Sequence, residues 1–374
     1  MKKIIFLIGL FLLAIIHSTT TKAQGCVETT SDDGPQIVGY IQPQFNAYMF
    51  GTKENGEAIK PSTFMFKRAR IGVVGSIPYD VSYYFMAELS PVAGGPQLLD
   101  AFVTYAPFGK YVKFSLGQFK SPFSLELNTP CYALNTINRS TVVNNLASPF
   151  RELGLMVLGS SDSLFGIHDL ISYKVAILNG TGINTLDDNN NKDISARLVI
   201  APAEWVKIGG SFRTGFYGIQ TKDSTGAWVQ KKRTRTAVDV TLEKWNFMLQ
   251  GEYVMGKDVG DITSGGGCGG KSTDDGALPV YDKSGFWVAA MYTTPWSLQA
   301  IVKYETYNPD GTAYSYQGVT QTYEQNTVTF GLNYFINDWT RVQLNYLYNS
   351  EGKTNGVVNE YDNDTFMIQV QAKF

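Results

Sequence analysis

Two stretches of this 374-residue chain carry residue types at spacings that could act on a ligand. GGGCGGKS, from Gly265 to Ser272, fits the phosphate-binding loop, in which glycines let backbone N–H groups surround phosphates while a lysine and a serine serve the terminal phosphate and magnesium. That chemistry needs a strand before the loop and a helix after it; neither pattern flanks this segment, and the match reads as chance. DDNNNKD, from Asp187 to Asp193, offers oxygens to calcium, but Lys192 stands where the calcium-loop pattern wants glycine, so a solvated hairpin loop is the better reading. After residue 23 the chain has one histidine, His168, which leaves histidine-based metal sites and Ser-His-Asp triads poorly supplied. A barrel hydrolase would need an exposed serine and an acid beside His168, and no such grouping is visible. No catalytic residue, metal ligand or cofactor is assigned.

The remaining chemistry is charge at alternate positions. In FMFKRARIGVV, Arg68 and Arg70 share one parity, and Ala69 and Ile71 the other. The same parity gathers Lys113, Lys174, Arg197, Arg213, Lys303 and Arg341, with the acids Asp80, Glu88, Asp100, Asp239, Glu252 and Glu305. Arg139 and Arg151 fall on a long intervening segment. Period-2 spacing marks a strand with two unlike faces. The chain ends in DTFMIQVQAKF, with Phe366, Ile368, Val370, Ala372 and Phe374 on the apolar side. QIVGYIQPQFNAYMF and RVQLNYLY repeat the scheme, and about 16 such segments occur, within the even-numbered range of outer-membrane barrels.

The spacers alternate too. GTKENGEAIKPS, PVAGGPQ, the segment from Ser121 to Arg151, NGTGINTLDDNNNK and the stretches Gly218 to Arg233, Lys257 to Lys283 and Tyr307 to Tyr323 are long; Ile77–Pro78, FGK, AE, TPW and IND are short. Short turns at one end and long loops at the other describe a barrel across an outer membrane. In lipid every backbone amide must pair within the protein, so a sheet spans only by closing on itself. A charge on the lipid face costs roughly 2–4 kcal/mol at mid-bilayer, and the charged parity is therefore expected to face an aqueous lumen.

The N-terminal MKKIIFLIGLFLLAII has the charge order and length of a secretory signal peptide, expected over residues 1–23 with a short periplasmic segment 24–35 after it. A lipoprotein signal ending at Cys26 is disfavoured by the preceding Ala23, Gln24 and Gly25. Loss of residues 1–23 removes Lys2, Lys3 and Lys22 and takes the formal charge from −2 to −5, which does not suit a nucleic-acid partner. Aromatics are 13% and charged residues only 17%, with 37 glycines, a strand-and-turn balance. No later segment approaches the roughly 18 apolar residues of a transmembrane helix. Cys26, Cys131 and Cys268 are too few for a disulfide framework; one optional bridge joins Cys131 and Cys268.

FMFKRARIGVVGSI, LLDAFVTYAPFGKYVKFSLGQFKSPFSLE, PFRELGLMVLG, YKVAILNGTG, TFGLNYFIN and VQLNYLY together resemble, in order and spacing, the porin O and P family, named for phosphate-selective members. The resemblance implies a 16-stranded antiparallel β-barrel over residues 36–374, a homotrimer in a Gram-negative outer membrane, with outer-membrane lipid around it and a third loop, 121–151, folded into the lumen. Phe374 looks like the terminal signal that outer-membrane assembly machinery reads. Small anionic or polar solutes are the expected cargo, phosphate among them, with an anion pathway over Arg68, Arg70, Lys113, Arg139, Arg151, Arg197 and Arg213. Asp80, Glu88 and Asp100 are candidates for ion pairs along the lumen, with Arg68 placed beside Glu88. A specific organic-solute channel of the same fold, and an adhesin or receptor barrel acting through its outer loops, are the alternatives.

Overall fold

The computed structural model describes residues 34–51, 58, 60–164, 166–222, 228–259, 280–309, 314–316, 319–321, 324–351, 353–354, 357–358 and 363–374. The expected signal peptide, most of the segment 24–35, Cys26, Cys268 and GGGCGGKS lie outside the described residues.

Alternation becomes sheet along the whole chain. The strands are β1 (Gln36–Met49), β2 (Thr63–Ile77), β3 (Val81–Glu88), β4 (Gln97–Tyr105), β5 (Lys113–Lys120), β6 (Arg151–Ser160), β7 (Ile171–Leu178) and β8 (Asp193–Ala203). They continue as β9 (Val206–Lys222), β10 (Trp228–Lys244), β11 (Phe247–Val259), β12 (Val280–Thr293), β13 (Leu298–Asn308), β14 (Gln325–Phe335), β15 (Thr340–Glu351) and β16 (Asp364–Lys373). Each pairs with its neighbours in sequence, and β16 also pairs antiparallel with β1, so the sheet closes as a 16-stranded barrel. The two faces differ as the alternation requires: Ile41 is 42% exposed and the adjacent Gln42 fully buried. Outward side chains such as Phe66, Leu116, Val238 and Phe330 form an apolar exterior. Turns of two or three residues (78–80, 204–205, 245–246) sit at the end that holds both Gln36 and Phe374, and the long loops at the other. The spacer expected from Gly218 to Arg233 is shorter, because β9 and β10 each run 17 residues and leave only 223–227 between them.

Closure depends on a close approach at the seam. Gly39 N–H donates to Phe374 O at 2.8 Å, and Phe374 N–H returns a bond to Gly39 O at 2.9 Å. A Cβ on Gly39 would lie 2.5 Å from Arg70 O and 2.7 Å from Phe374 Cζ, so the terminal ring lies over a position only glycine can leave open.

The loop between β5 and β6 lies inside the barrel. It carries two short helices, α1 (Leu125–Asn128) and α2 (Thr141–Leu146). Its apolar side chains Phe123, Leu127, Val142, Val143 and Leu146 pack on Ala237, Val254, Trp287, Ala289, Met291 and Ile301 of β10 to β13. Backbone donors placed in a lumen need acceptors, and carboxylates of the wall and loop supply them. Glu252 accepts from Leu125 N (2.8 Å) and Glu126 N (3.2 Å); Glu126 accepts from Ser140 N (2.7 Å); Glu305 accepts from Thr141 N (3.0 Å). Amides serve the loop's carbonyls on the opposite wall: Asn333 Nδ2 donates to Asn135 O at 2.8 Å and Gln371 Nε2 to Tyr132 O at 3.2 Å.

Two outcomes test these placements. Gly39→Val, which forces apart the seam of β1 and β16, is expected to lower the fraction of heat-modifiable folded barrel; a wild-type fraction would show that the close approach is dispensable. Glu252→Ala removes the acceptor of three N–H groups, Leu125 N, Glu126 N and Trp287 Nε1, at a cost of about 1–3 kcal/mol for each one left buried and unpaired. The barrel should still fold while its single-channel current becomes noisier and larger as the loop loosens, and a quiet current of wild-type size would remove Glu252 from the anchor.

Candidate permeation site

Most of the arginines that parity aims inward are held by carboxylates. Arg197 grips Asp239 through Nη1 (2.6 Å) and Nη2 (3.0 Å). Arg213, 1% exposed, donates to Glu152 at 2.7 Å and to Asp193 at 2.8 Å, and Arg233 joins Asp193 at 2.7 Å. Asp193 thus leaves the DDNNNKD run for the wall, while Lys192 pairs with Asp187 in the loop. Arg151 is bidentate on Asp100 at 3.0 and 2.9 Å; it opens β6 and does not lie on the inserted loop. Lys303 sits 2.7 Å from Glu126 and 3.5 Å from Glu305. Paired in this way, these groups add little net charge to the lumen.

Two expected acids are placed differently. The turn after β2 holds three residues, Pro78, Tyr79 and Asp80, with Tyr79 at φ 71° and Asp80 at φ 60°. Asp80 is therefore exposed at the short-turn end and has no ion pair among the described residues. The same turn sets Ile77 opposite Val81, which brings Arg70, and not Arg68, opposite Glu88. Arg70 Nε lies 2.7 Å from Glu88 Oε2. Lys113 opens β5 beside a short turn and, like Lys174, is in register with Leu158; neither lines the cavity described next.

Several cations have no carboxylate within 4.0 Å among the described residues, Lys67, Arg68, Lys120, Arg139 and Arg341 among them; Lys120 Nζ donates to Leu127 O at 3.1 Å and to Thr129 O at 3.2 Å. Arg68, 8% exposed, donates Nη1 to Gln42 Oε1 at 2.8 Å. Gln42 Nε2 passes the contact to Gln371 Oε1 at 2.7 Å, and Arg341 Nη2 meets the same oxygen at 3.1 Å. One row across β2, β1, β16 and β15 thus has a guanidinium at each end and neutral amides between. Arg139, on the loop, donates Nε to Glu126 O (2.9 Å), Nη2 to Thr129 O (2.8 Å) and Nη1 to Cys131 Sγ (3.3 Å). Arg70 Nη1 reaches the same sulfur at 3.3 Å, and Cys131 is a buried free thiol.

Lys67 is the residue that parity misplaces. Strict alternation puts it beside Ala69 and Ile71 on the lipid side, where a charge is costly. The register shifts between Gln42 and Pro43: Gln42 faces Arg68 while Pro43 faces Phe66, so Lys67 is the extra residue of a β-bulge. Proline has no N–H for the ladder and is confined within sheets to such irregularities. Turned inward, Lys67 lines a cavity of about 270 Å³ with Arg139, Lys303, Glu305, Thr327 and Asn349. These residues lie toward the long-loop ends of β13, β14 and β15, so the cavity is in the outer half of the barrel, bounded by the inserted loop.

Residues 39–217 match the profile of the family described as phosphate-selective porin O and P. No curated protein matches the chain. Among solved structures, the anion-selective porin of Comamonas acidovorans is similar at TM-score 0.64 and 10% identity, over 91% of this chain and 99% of that one. The outer membrane channel DcaP of Acinetobacter baumannii is similar at TM-score 0.63 and 12% identity, over 93% and 100%. The trimer form of OmpT, an outer membrane protein of Vibrio cholerae, is similar at TM-score 0.58 and 12% identity, over 91% and 100%. Identities this low carry the fold alone, and that fold is the porin fold. The segment 39–217 is thus similar to the porin O and P family, and it is set in a closed 16-stranded barrel that has the porin fold from β1 to β16.

Proposed function

We propose that this chain is an outer-membrane diffusion porin with a preference for small anions, phosphate among them, working as a homotrimer in a Gram-negative envelope after export by residues 1–23. One observation carries the anion preference. Lumen acids are engaged by cations or by backbone N–H groups, whereas Lys67, Arg68, Arg139 and Arg341 meet only carbonyl, amide or thiol partners or line the cavity. An arginine keeps its proton at every usable pH, and a fixed positive charge between low-dielectric walls attracts a passing anion more strongly than it would in water. The trimeric OmpT and the anion-selective Comamonas porin share this fold, which supports extending both properties here. Assembly through Phe374 belongs to the same proposal.

Charge substitutions in planar bilayers separate the free cations from the paired ones. Lys67→Gln with Arg68→Gln is expected to move the zero-current potential in a salt gradient toward cation preference, with barrel yield near normal because lumen positions tolerate polar substitution. Arg70→Gln with Glu88→Gln removes a compensated pair and should leave the potential in place. Equal effects of the two double variants, or none from the first, would overturn the assignment of selectivity to the free cations.

A further inference from the structure

The outer cavity is lined for more than a bare ion. Its 270 Å³ equals the liquid share of about nine water molecules and approaches the lower bound, about 300 Å³, of small-molecule sites. Three of its threonines have already given their only proton to the protein. Thr136 Oγ1 donates to Asn138 O at 2.9 Å, Thr141 Oγ1 to Glu305 Oε1 at 2.9 Å and Thr327 Oγ1 to Asn349 Oδ1 at 2.8 Å. A hydroxyl has one proton and two lone pairs, so these three meet a solute as acceptors. Asn144 Nδ2 donates to Arg139 O at 3.1 Å, and Asn144 Oδ1 has no partner among the described residues.

Such a wall suits a ligand with two kinds of group. Chloride accepts hydrogen bonds and donates none, so it can use Lys67 and Arg139 but not the row of oxygens. A neutral sugar can donate to the oxygens but leaves the cations unanswered. A solute with one anionic group and several hydroxyls uses both sides of the cavity at once.

We infer that the cavity is a binding station for a small polyhydroxylated organic anion, whose charged group sits at Lys67 and whose hydroxyls donate to the threonine and asparagine oxygens of β14 and the inserted loop. The inference rests on the anion-preferring reading above and narrows it to a solute class. Passage through a pore needs a station that holds a solute briefly and releases it, and a few hydroxyl contacts added to one cation are of that order.

Block of the chloride current of the full-length porin, with solute added at the long-loop side, tests the inference. Glucose 6-phosphate and gluconate distinguish a phosphate from a carboxylate as the charged group, with inorganic phosphate and glucose as references. The half-blocking concentration of at least one of the two hydroxylated anions should be about tenfold below that of inorganic phosphate, the factor that one or two net hydrogen bonds supply; glucose should block far more weakly. Thr327→Val, which removes an acceptor and no charge, should raise the value for the hydroxylated anion several-fold and leave inorganic phosphate where it was. Equal block by all three anions, or equal block by glucose and glucose 6-phosphate, overturns the inference even where Thr327→Val fails to fold. Absence of anion preference in the unmodified porin would instead overturn the reading on which the inference rests.

Discussion

A polypeptide inserted into the lumen of a barrel must find hydrogen-bond partners from side chains, because the barrel's own amides are already used in the sheet. The carboxylates of Glu252, Glu126 and Glu305 meet that need for the N–H groups of the inserted loop. Hydrogen bonds to a charged acceptor are worth about 1.5–3 kcal/mol, more than neutral ones, and three such caps on a 30-residue insertion fix its place more firmly than water would. The rest of the lumen follows from this use of acids: carboxylates that cap the loop or hold a wall arginine are not available to line a pathway.

The two halves of the wall share the work unequally. From β10 to β13 the inner face is apolar at Ala237, Val254, Trp287, Ala289, Met291 and Ile301, and the loop's own apolar residues cover it. From β14 through β16 to β1 the inner face is a belt of amides, with Asn333 bonded to Gln299 (2.9 Å), Gln343 to Asn333 (3.1 Å) and Gln369 to Gln44 (2.9 Å). Amides donate and accept without carrying charge, so this side can hold the loop's carbonyls while leaving the field of Arg68 and Arg341 uncancelled. Hydrophobic packing on one side and a neutral polar belt on the other place Arg68 and Arg341 along the second.

The barrel was legible because closure in lipid imposes a simple code: one face apolar, one polar, loops sorted by length. That code predicts strand number, the first strand at Gln36 and the last at Phe374. It fails where the sheet departs from strict period two or where a turn has an unexpected length. A register two residues from the expected one, set by the three-residue turn 78–80, moved Glu88 from Arg68 to Arg70 and left Asp80 in the turn. One bulge brought Lys67 inward, although its signal was present: a charge at a lipid-facing parity, beside a proline in the middle of the adjacent strand. The apolar lumen patch also left a mark, since FWVAAMY in β12 is apolar at both parities, as expected of a strand covered on both faces.

Glu252 is the group that most directly opposes a positive lumen, since its partners are N–H groups and none of them is a cation. Distance and position decide its weight. Coulomb energy falls as the reciprocal of separation, and Glu252, 2% exposed, lies behind α1 and beneath Trp287, whereas Lys67 and Arg139 line the cavity itself. An anion in that cavity meets its cations at contact and this carboxylate only across the loop. The carboxylate's charge is meanwhile offset locally by the N–H dipoles that converge on it at the start of α1 and by Trp287 Nε1 at 3.1 Å. The signs are thus separated in space, Glu252 under the loop and Lys67 and Arg139 at the cavity, where Glu305 is the one acid of the lining and is paired with Lys303.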